Sequence, residues 1–141
     1  MKKTKKVMVF GTFDRLHKGH EYFLSEARKC GDFLTAVVAR DKTVKKVKGR
    51  LPSENEGERK MSVEKSGLAD KVILGSLNDV YEVIMKERPD VICLGYDQKS
   101  FVGGLGSFLE SIGIDAGIIR IKAYRPDRYK TSLMKNQKKV K

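Results

Sequence analysis

The chain has 141 residues, 40% hydrophobic and 34% charged, the size and balance of one globular domain with a real core and not of a disordered chain. No apolar run approaches the roughly 18 residues needed to cross a bilayer, which excludes a membrane-spanning helix. Thirty Lys and Arg against eighteen Asp and Glu leave a net charge of +12, so polyanions are the expected partners, either nucleic acid or small molecules carrying several phosphates.

The first residues, Met-Lys-Lys-Thr-Lys-Lys, are basic like the start of a signal peptide. Only Val7 to Phe10 follow as an apolar run, whereas a signal peptide needs about 7–15 apolar residues there, so a cytoplasmic location is expected. Val7 to Phe10 reads instead as a first strand. A helix follows from about His20 to Lys29, with Tyr22, Phe23, Ala27 and Cys30 on one face and Gly31 as its stop. Leu34 to Ala39 is a second strand, and Lys42 to Arg50 a basic loop. The next helix opens at Ser53-Glu54-Asn55-Glu56, read as a capping box between Ser53 and Glu56, and closes near Gly67.

Val72 to Leu74 is a short third strand. Val80 to Lys86 is a helix ended by Pro89, and Val91 to Leu94 is a fourth strand. A helix from Phe101 or Leu105 to Ile112 precedes a fifth strand, Ile118 to Ile121. A last short helix is expected from Thr131, giving way to a basic tail from about residue 136. These strands are short, β-branched and nearly continuous in apolar character, as strands covered on both faces must be. Their alternation with helices predicts an α/β fold, a Rossmann-like, doubly wound, five-stranded parallel sheet in a single domain over residues 1–141. Ligands of such sheets sit beyond the C-terminal strand ends, which directs attention to the residues after Phe10, Ala39, Leu94 and Ile121.

The only cysteines are Cys30 and Cys93. Cys93 lies inside an apolar strand and reads as a buried, inert thiol, and neither residue has metal or redox spacing. No disulfide framework is expected.

Both histidines of the chain fall in the segment after the first strand, Gly11-Thr12-Phe13-Asp14-Arg15-Leu16-His17-Lys18-Gly19-His20. Gly19 allows close backbone approach, and the helix that begins here offers free N–H groups and a dipole to phosphate oxygens. Imidazoles in that place donate hydrogen bonds as charge develops on a phosphoryl group. A metal half-site would need a third ligand, and no further His or suitably placed Cys exists to supply it.

GTFDRLHKGH resembles the GTFDxxHxGH signature of the cytidylyltransferase-like nucleotidyltransferases, in the branch with two histidines. The resemblance implies that His17 and His20 bind the triphosphate and stabilise the transition state. Thr12 and Phe13 would line the nucleotide, beside Lys18 and Gly19. By the same resemblance, Lys46 and Lys48 of the basic loop neutralise the incoming phosphate, and Arg59 approaches the triphosphate from the second helix. Asp97, in Leu94-Gly95-Tyr96-Asp97-Gln98 after the fourth strand, is placed to hold the nucleoside sugar or a base edge. Tyr124 and the Thr131-Ser132 turn stand where the family has a Tyr and a Thr/Ser-rich phosphate-binding turn. Thr131 and Ser132 serve equally well as plain helix caps.

Val37-Val38-Ala39-Arg40-Asp41 and Leu94-Gly95-Tyr96-Asp97-Gln98 also resemble the archaeal-type FAD synthases, over about residues 5–135. That resemblance implies transfer of AMP from ATP to FMN with release of pyrophosphate. It implies a divalent cation, Mg²⁺, carried by the phosphates with no protein metal ligands, and a homodimer. Three alternatives stay open. One is a cytidylyltransferase acting on glycerol 3-phosphate or a similar small phosphate. Another is a non-catalytic nucleic-acid-binding protein on this fold, which the intact histidine pair argues against. The third is a flavin- or nucleotide-binding protein without catalysis.

Overall fold

The computed structural model describes residues 4–99 and 102–124. In the first strand, β1 (Lys6–Gly11), Val7, Met8, Val9 and Phe10 are all buried. Their alternation divides them between two cores, since successive side chains of a strand point to opposite faces. Val7 and Val9 join Leu24, Ala27, Leu34, Ala36 and Val63 on one face. Met8 and Phe10 join Val37, Ile84, Ile92, Leu94, Leu105 and Leu109 on the other. A strand covered on both sides must be apolar throughout.

β1 pairs in parallel with β2 (Phe33–Val38) on one side and β4 (Val91–Leu94) on the other. β3 (Lys71–Leu74) and β5 (Gly117–Arg120) complete the sheet, in the order β3-β2-β1-β4-β5. The helices are α1 (Lys18–Arg28), α2 (Asp41–Lys48), α3 (Glu56–Ser66), α4 (Glu82–Glu87) and α5 (Leu105–Ser111), the last led in by a 3-10 turn at Val102–Gly104. α1 and α3 supply Leu24, Ala27 and Val63 to the first core, and α4 and α5 supply Val83, Ile84, Leu105 and Leu109 to the second. The strand order runs outward from β1 to β3 on one side and to β5 on the other, which makes the C-terminal ends of β1 and β4 the switch point of the sheet. No helix among the described residues is long and apolar enough to cross a membrane.

Two local expectations are corrected. Residues 42–48 are not a basic loop but most of α2. Asp41 lies in its first turn and Lys45, Lys46 and Lys48 in its last, which suits the helix dipole. Gly49, at φ 84, ends it in a left-handed cap, and Val44 alone anchors it, at 4% exposure. α3 is capped by Asn55, not Ser53. The Asn55 side chain accepts from the Glu58 amide and the Glu58 carboxylate from the Asn55 amide, a capping box two residues later than expected. Ser53 is unavailable because its amide is turned to Asp14.

Cys93 is fully buried. Burial, and then the neighbouring Cys30 thiol, push its pKa up to about 12. The sequence gives no sign of that proximity. Phe101, Thr131, Ser132, the last helix and the basic tail lie outside the described residues.

Candidate functional site

Gly11 ends β1, and the chain turns sharply. Phe13 and Arg15 both adopt left-handed backbone, at φ 54 and 50, a conformation that non-glycine residues hold only where the surroundings enforce it. The Phe13 ring folds back over Gly11, where a Cβ would lie 2.8 Å from two of its carbons. Only glycine fits there. Phe13 is 2% exposed and meets the His20 ring edge-on at 5.7 Å. Its ring therefore supports the histidines from beneath.

α1 begins with a cap built from the two histidines. His17 Nδ1 accepts from the Gly19 amide at 3.0 Å, and His20 Nδ1 accepts from the His17 amide at 3.1 Å. A Cβ on Gly19 would lie 2.9 Å from His17 Cε1, so the glycine makes room for the ring that its own amide orients. A ring that accepts at Nδ1 carries its proton on Nε2. Both imidazoles thus present an Nε2–H donor beyond the C-terminal end of β1. Burial lowers the His20 pKa to about 4, reinforced by His17 and Lys48 and opposed by Asp14. His20 is a neutral donor at pH 7.

Asp14 clasps the neighbouring segment. Its carboxylate accepts from the amides of Ser53 and Glu54 at 2.8 and 2.9 Å, while Glu54 Oε1 accepts from the Arg15 amide at 2.9 Å. Burial alone would raise the Asp14 pKa. The two amides, and the charges of Arg59 and Arg15, hold it below the ordinary 3.8.

Arg59 is 0% exposed. Its Nε donates to Glu54 O, its Nη1 to both Thr12 O and Ala39 O, and its Nη2 to Asp41 Oδ1. The expectation that it approaches a triphosphate is corrected: the guanidinium is turned inward and holds the ends of β1 and β2 together from behind. Burying so large a cation is tolerable only because its donors meet one carboxylate and three carbonyls.

On the β4 side, Gln98 accepts from the Gly95 amide and donates to Phe10 O at 3.3 Å. Arg120 Nη1 reaches Gly95 O and Gln98 O at 2.6 and 2.9 Å. Together they shape the loop that carries exposed Asp97. Tyr124 packs its ring 5.5 Å from that of Tyr22 on α1. Lys18, Lys46 and Lys48 are exposed. A cleft of about 340 Å³ opens beside Thr12 and Asp14, lined by Val44, Lys48, Arg50, Leu51 and Pro52. Among the described residues no three His, Cys, Asp or Glu side chains gather as metal ligands.

The structure therefore brings Thr12, Lys18, Gly19 and the two histidines to one edge, with Lys48 near enough to act on His20. Asp97 occupies the loop after β4. Asp14, Asp41, Glu54, Gln98 and Arg120 organise the site without having been singled out. Asp14 was legible as part of the motif, whereas Asp41, Gln98 and Arg120 share only their position after a strand or at its end, and Glu54 stands before α3.

The cytidylyltransferase-like family model matches residues 8–137. A protein of Ferroglobus placidus named FAD synthase is 46% identical over 120 residues, covering 84% of this chain and 77% of its own. One of Thermoplasma acidophilum, also named FAD synthase, is 37% identical over 132 residues, covering 94% and 92%. Among solved structures, the lipopolysaccharide core biosynthesis protein of Thermoplasma volcanium GSS1 superimposes with a TM-score of 0.82 at 38% identity, over 87% of this chain and all of that one.

Proposed function

The chain belongs to the cytidylyltransferase-like family, and on that premise we infer that it is an FAD synthase, a nucleotidyltransferase that moves AMP from ATP to FMN. A phosphate oxygen of FMN attacks the α-phosphorus of ATP. The bond from that phosphorus to the bridging oxygen breaks, and pyrophosphate leaves. No covalent intermediate is required, because positioning and charge neutralisation supply most of the catalysis in such transfers.

The observation that carries this reading is the pair of histidines at the head of α1, each with Nδ1 tied to a backbone amide and Nε2–H free to donate. His17 and His20 donate to the α-phosphoryl oxygens and the departing pyrophosphate, beside the positive end of the helix dipole at Lys18 and Gly19. A neutral donor keeps its proton through the reaction, so His20 is not needed as a general base. Lys46 supplies positive charge for the incoming phosphate. Arg59 acts as a positioning residue, through the Thr12 and Ala39 carbonyls that it holds.

The adenosine portion sits at the switch point between β1 and β4, with Thr12 below it and Asp97 and Tyr124 as its contacts. Thr131 and Ser132 complete the phosphate contacts in this reading. A divalent cation, Mg²⁺, would be carried by the triphosphate oxygens, with no ligand cage among the described residues. When bound it would supply neutralisation of phosphate charge. A homodimer and a cytoplasmic location complete the reading, and sedimentation of the purified chain measures the first.

The test is pyrophosphate release with Mg²⁺, crossing ATP and CTP against FMN and glycerol 3-phosphate. Release with ATP plus FMN alone, lost in His20→Ala, is expected. Release only with CTP would replace both substrates and retain the fold and the histidines. No release in any combination would overturn the activity.

A further inference from the structure

The cleft beside Thr12 and Asp14 has no occupant in the reaction as described so far. The nucleotide is assigned to the switch point between β1 and β4, where the strand order reverses. The cleft lies between the end of β1, helix α2 and the segment before α3.

The lining has two chemistries. Val44, Leu51 and Pro52 form an apolar part, and Lys48 and Arg50 supply two cations. Leu51 is 58% exposed, an apolar wall facing open space. The acid in the lining, Asp14, is already engaged by the amides of Ser53 and Glu54. It leaves the cations as the charges a ligand meets. Lys48 lies close enough to act electrostatically on His20, so the cationic end of the cleft is the end toward the chemistry.

A cleft with an apolar wall and cations near the reacting centre fits a ligand with a flat apolar body and an anionic tail. At about 340 Å³ it lies at the low end of ligand pockets, roughly 300–1,000 Å³, which suits one ring system and not two complete substrates. We propose that this cleft seats the ring system of FMN, with Leu51 and Pro52 selecting a large flat ring over a small phosphorylated polyol, and Lys48 and Arg50 directing the phosphate to the histidines. This rests on the FAD synthase reading and gives that reading a residue basis for its acceptor.

Three probes separate the parts: FMN carries ring and phosphate, riboflavin the ring alone, and glycerol 3-phosphate the phosphate alone. Binding is followed by flavin fluorescence, with Leu51→Asp, Leu51→Ser and Lys48→Ala in the full chain. Leu51 is exposed, so its variants are expected to keep the wild-type melting temperature. Leu51→Asp and Leu51→Ser should each weaken both FMN and riboflavin by about tenfold or more while leaving the KM for ATP within about twofold. The riboflavin arm matters because it carries no phosphate for the new aspartate to repel. Lys48→Ala should weaken FMN and leave riboflavin unchanged.

FMN and riboflavin binding within about twofold of wild type in both Leu51 variants would overturn the assignment. Turnover of ATP with FMN by the wild type, measured alongside, separates the two failures. Turnover with unaltered flavin binding in the variants overturns the cleft alone. Turnover with glycerol 3-phosphate and none with FMN overturns the cleft and the parent reading together.

Discussion

The rings of His17 and His20 stack with centroids 3.9 Å apart and planes inclined by 26°. Two imidazolium ions so placed would repel each other, and the neighbouring Lys48 adds to the penalty on His20. The arrangement favours a neutral His20, with both Nδ1 atoms spent on backbone amides and both Nε2 atoms facing outward to donate. It divides the structural and chemical duties of each histidine between its two nitrogens, which makes them separable by substitution.

His17 is the N-cap of α1 and also a donor to the reacting phosphate in the proposed mechanism. Asparagine is among the best N-caps, so His17→Asn should preserve the cap while removing the imidazole donor. The expected result is a kcat lower by about 10²–10³, as for loss of one preorganised donor, with a melting temperature close to wild type. A variant that retains full kcat would remove His17 from the chemistry.

The proton on His20 gives a second handle. Its folded pKa of about 4 lies below the ordinary 6.5, so between those values the unfolded chain binds more protons than the folded one. Stability from a neutral His20 is therefore complete above pH 6.5 and is lost as the pH falls through 6.5 toward 4. In a proton NMR titration of the free protein, the His20 ring resonances should inflect near pH 4 and stay flat from pH 6 to 8. An inflection near 6.5 would show that the ring is solvated and that the stacked geometry does not persist in solution.

Arg59 and Asp41, 2.6 Å apart, form the tie behind the site. Arg59→Met keeps the length of the side chain and removes every donor, leaving the Asp41 carboxylate and the carbonyls of Thr12, Ala39 and Glu54 without their partner. Removing one member of a buried pair costs about 3–5 kcal/mol. The Asp41 side chain is 29% exposed, which places the cost at the lower end. For a domain of this size that is a fall in melting temperature of roughly 10 °C. A calorimetric scan showing a shift of a degree or two would mean that the clamp contributes little.

Much of this was legible in the sequence where pattern is local. Val91 to Leu94 reads as a strand because four buried residues stand in a row, and the histidines read as a site because both fall within ten residues of one strand end. α2 was not legible: six of its eight residues are Lys, Asp or Thr flanking a single buried anchor, Val44. The α3 cap was ambiguous because Ser53…Glu56 and Asn55…Glu58 share the same spacing. Asp14 decides it by drawing off the Ser53 amide. Arg59 could not be recognised as buried, because its partners stand as far as 47 residues away, and a helical arginine is exposed by default.

Asp14 links the motif to the segment that carries Leu51 and Pro52, and Asp14→Asn tests that link. The carboxylate uses one oxygen for the Ser53 amide and the other for the Glu54 amide. An asparagine has a single acceptor oxygen and presents a donor where the second amide points. One bond is lost and a donor faces a donor. A hydrogen bond to a charged group is worth about 1.5–3 kcal/mol, so local opening of this segment should become easier by at least that much. In hydrogen exchange, the Ser53 and Glu54 amides should then exchange about ten times faster or more, while amides in β1 and β4 keep their protection. If the segment shapes the acceptor cleft, the KM for FMN rises in the same variant and the KM for ATP does not. Unchanged exchange at both amides would show that Asp14 does not hold the segment in solution.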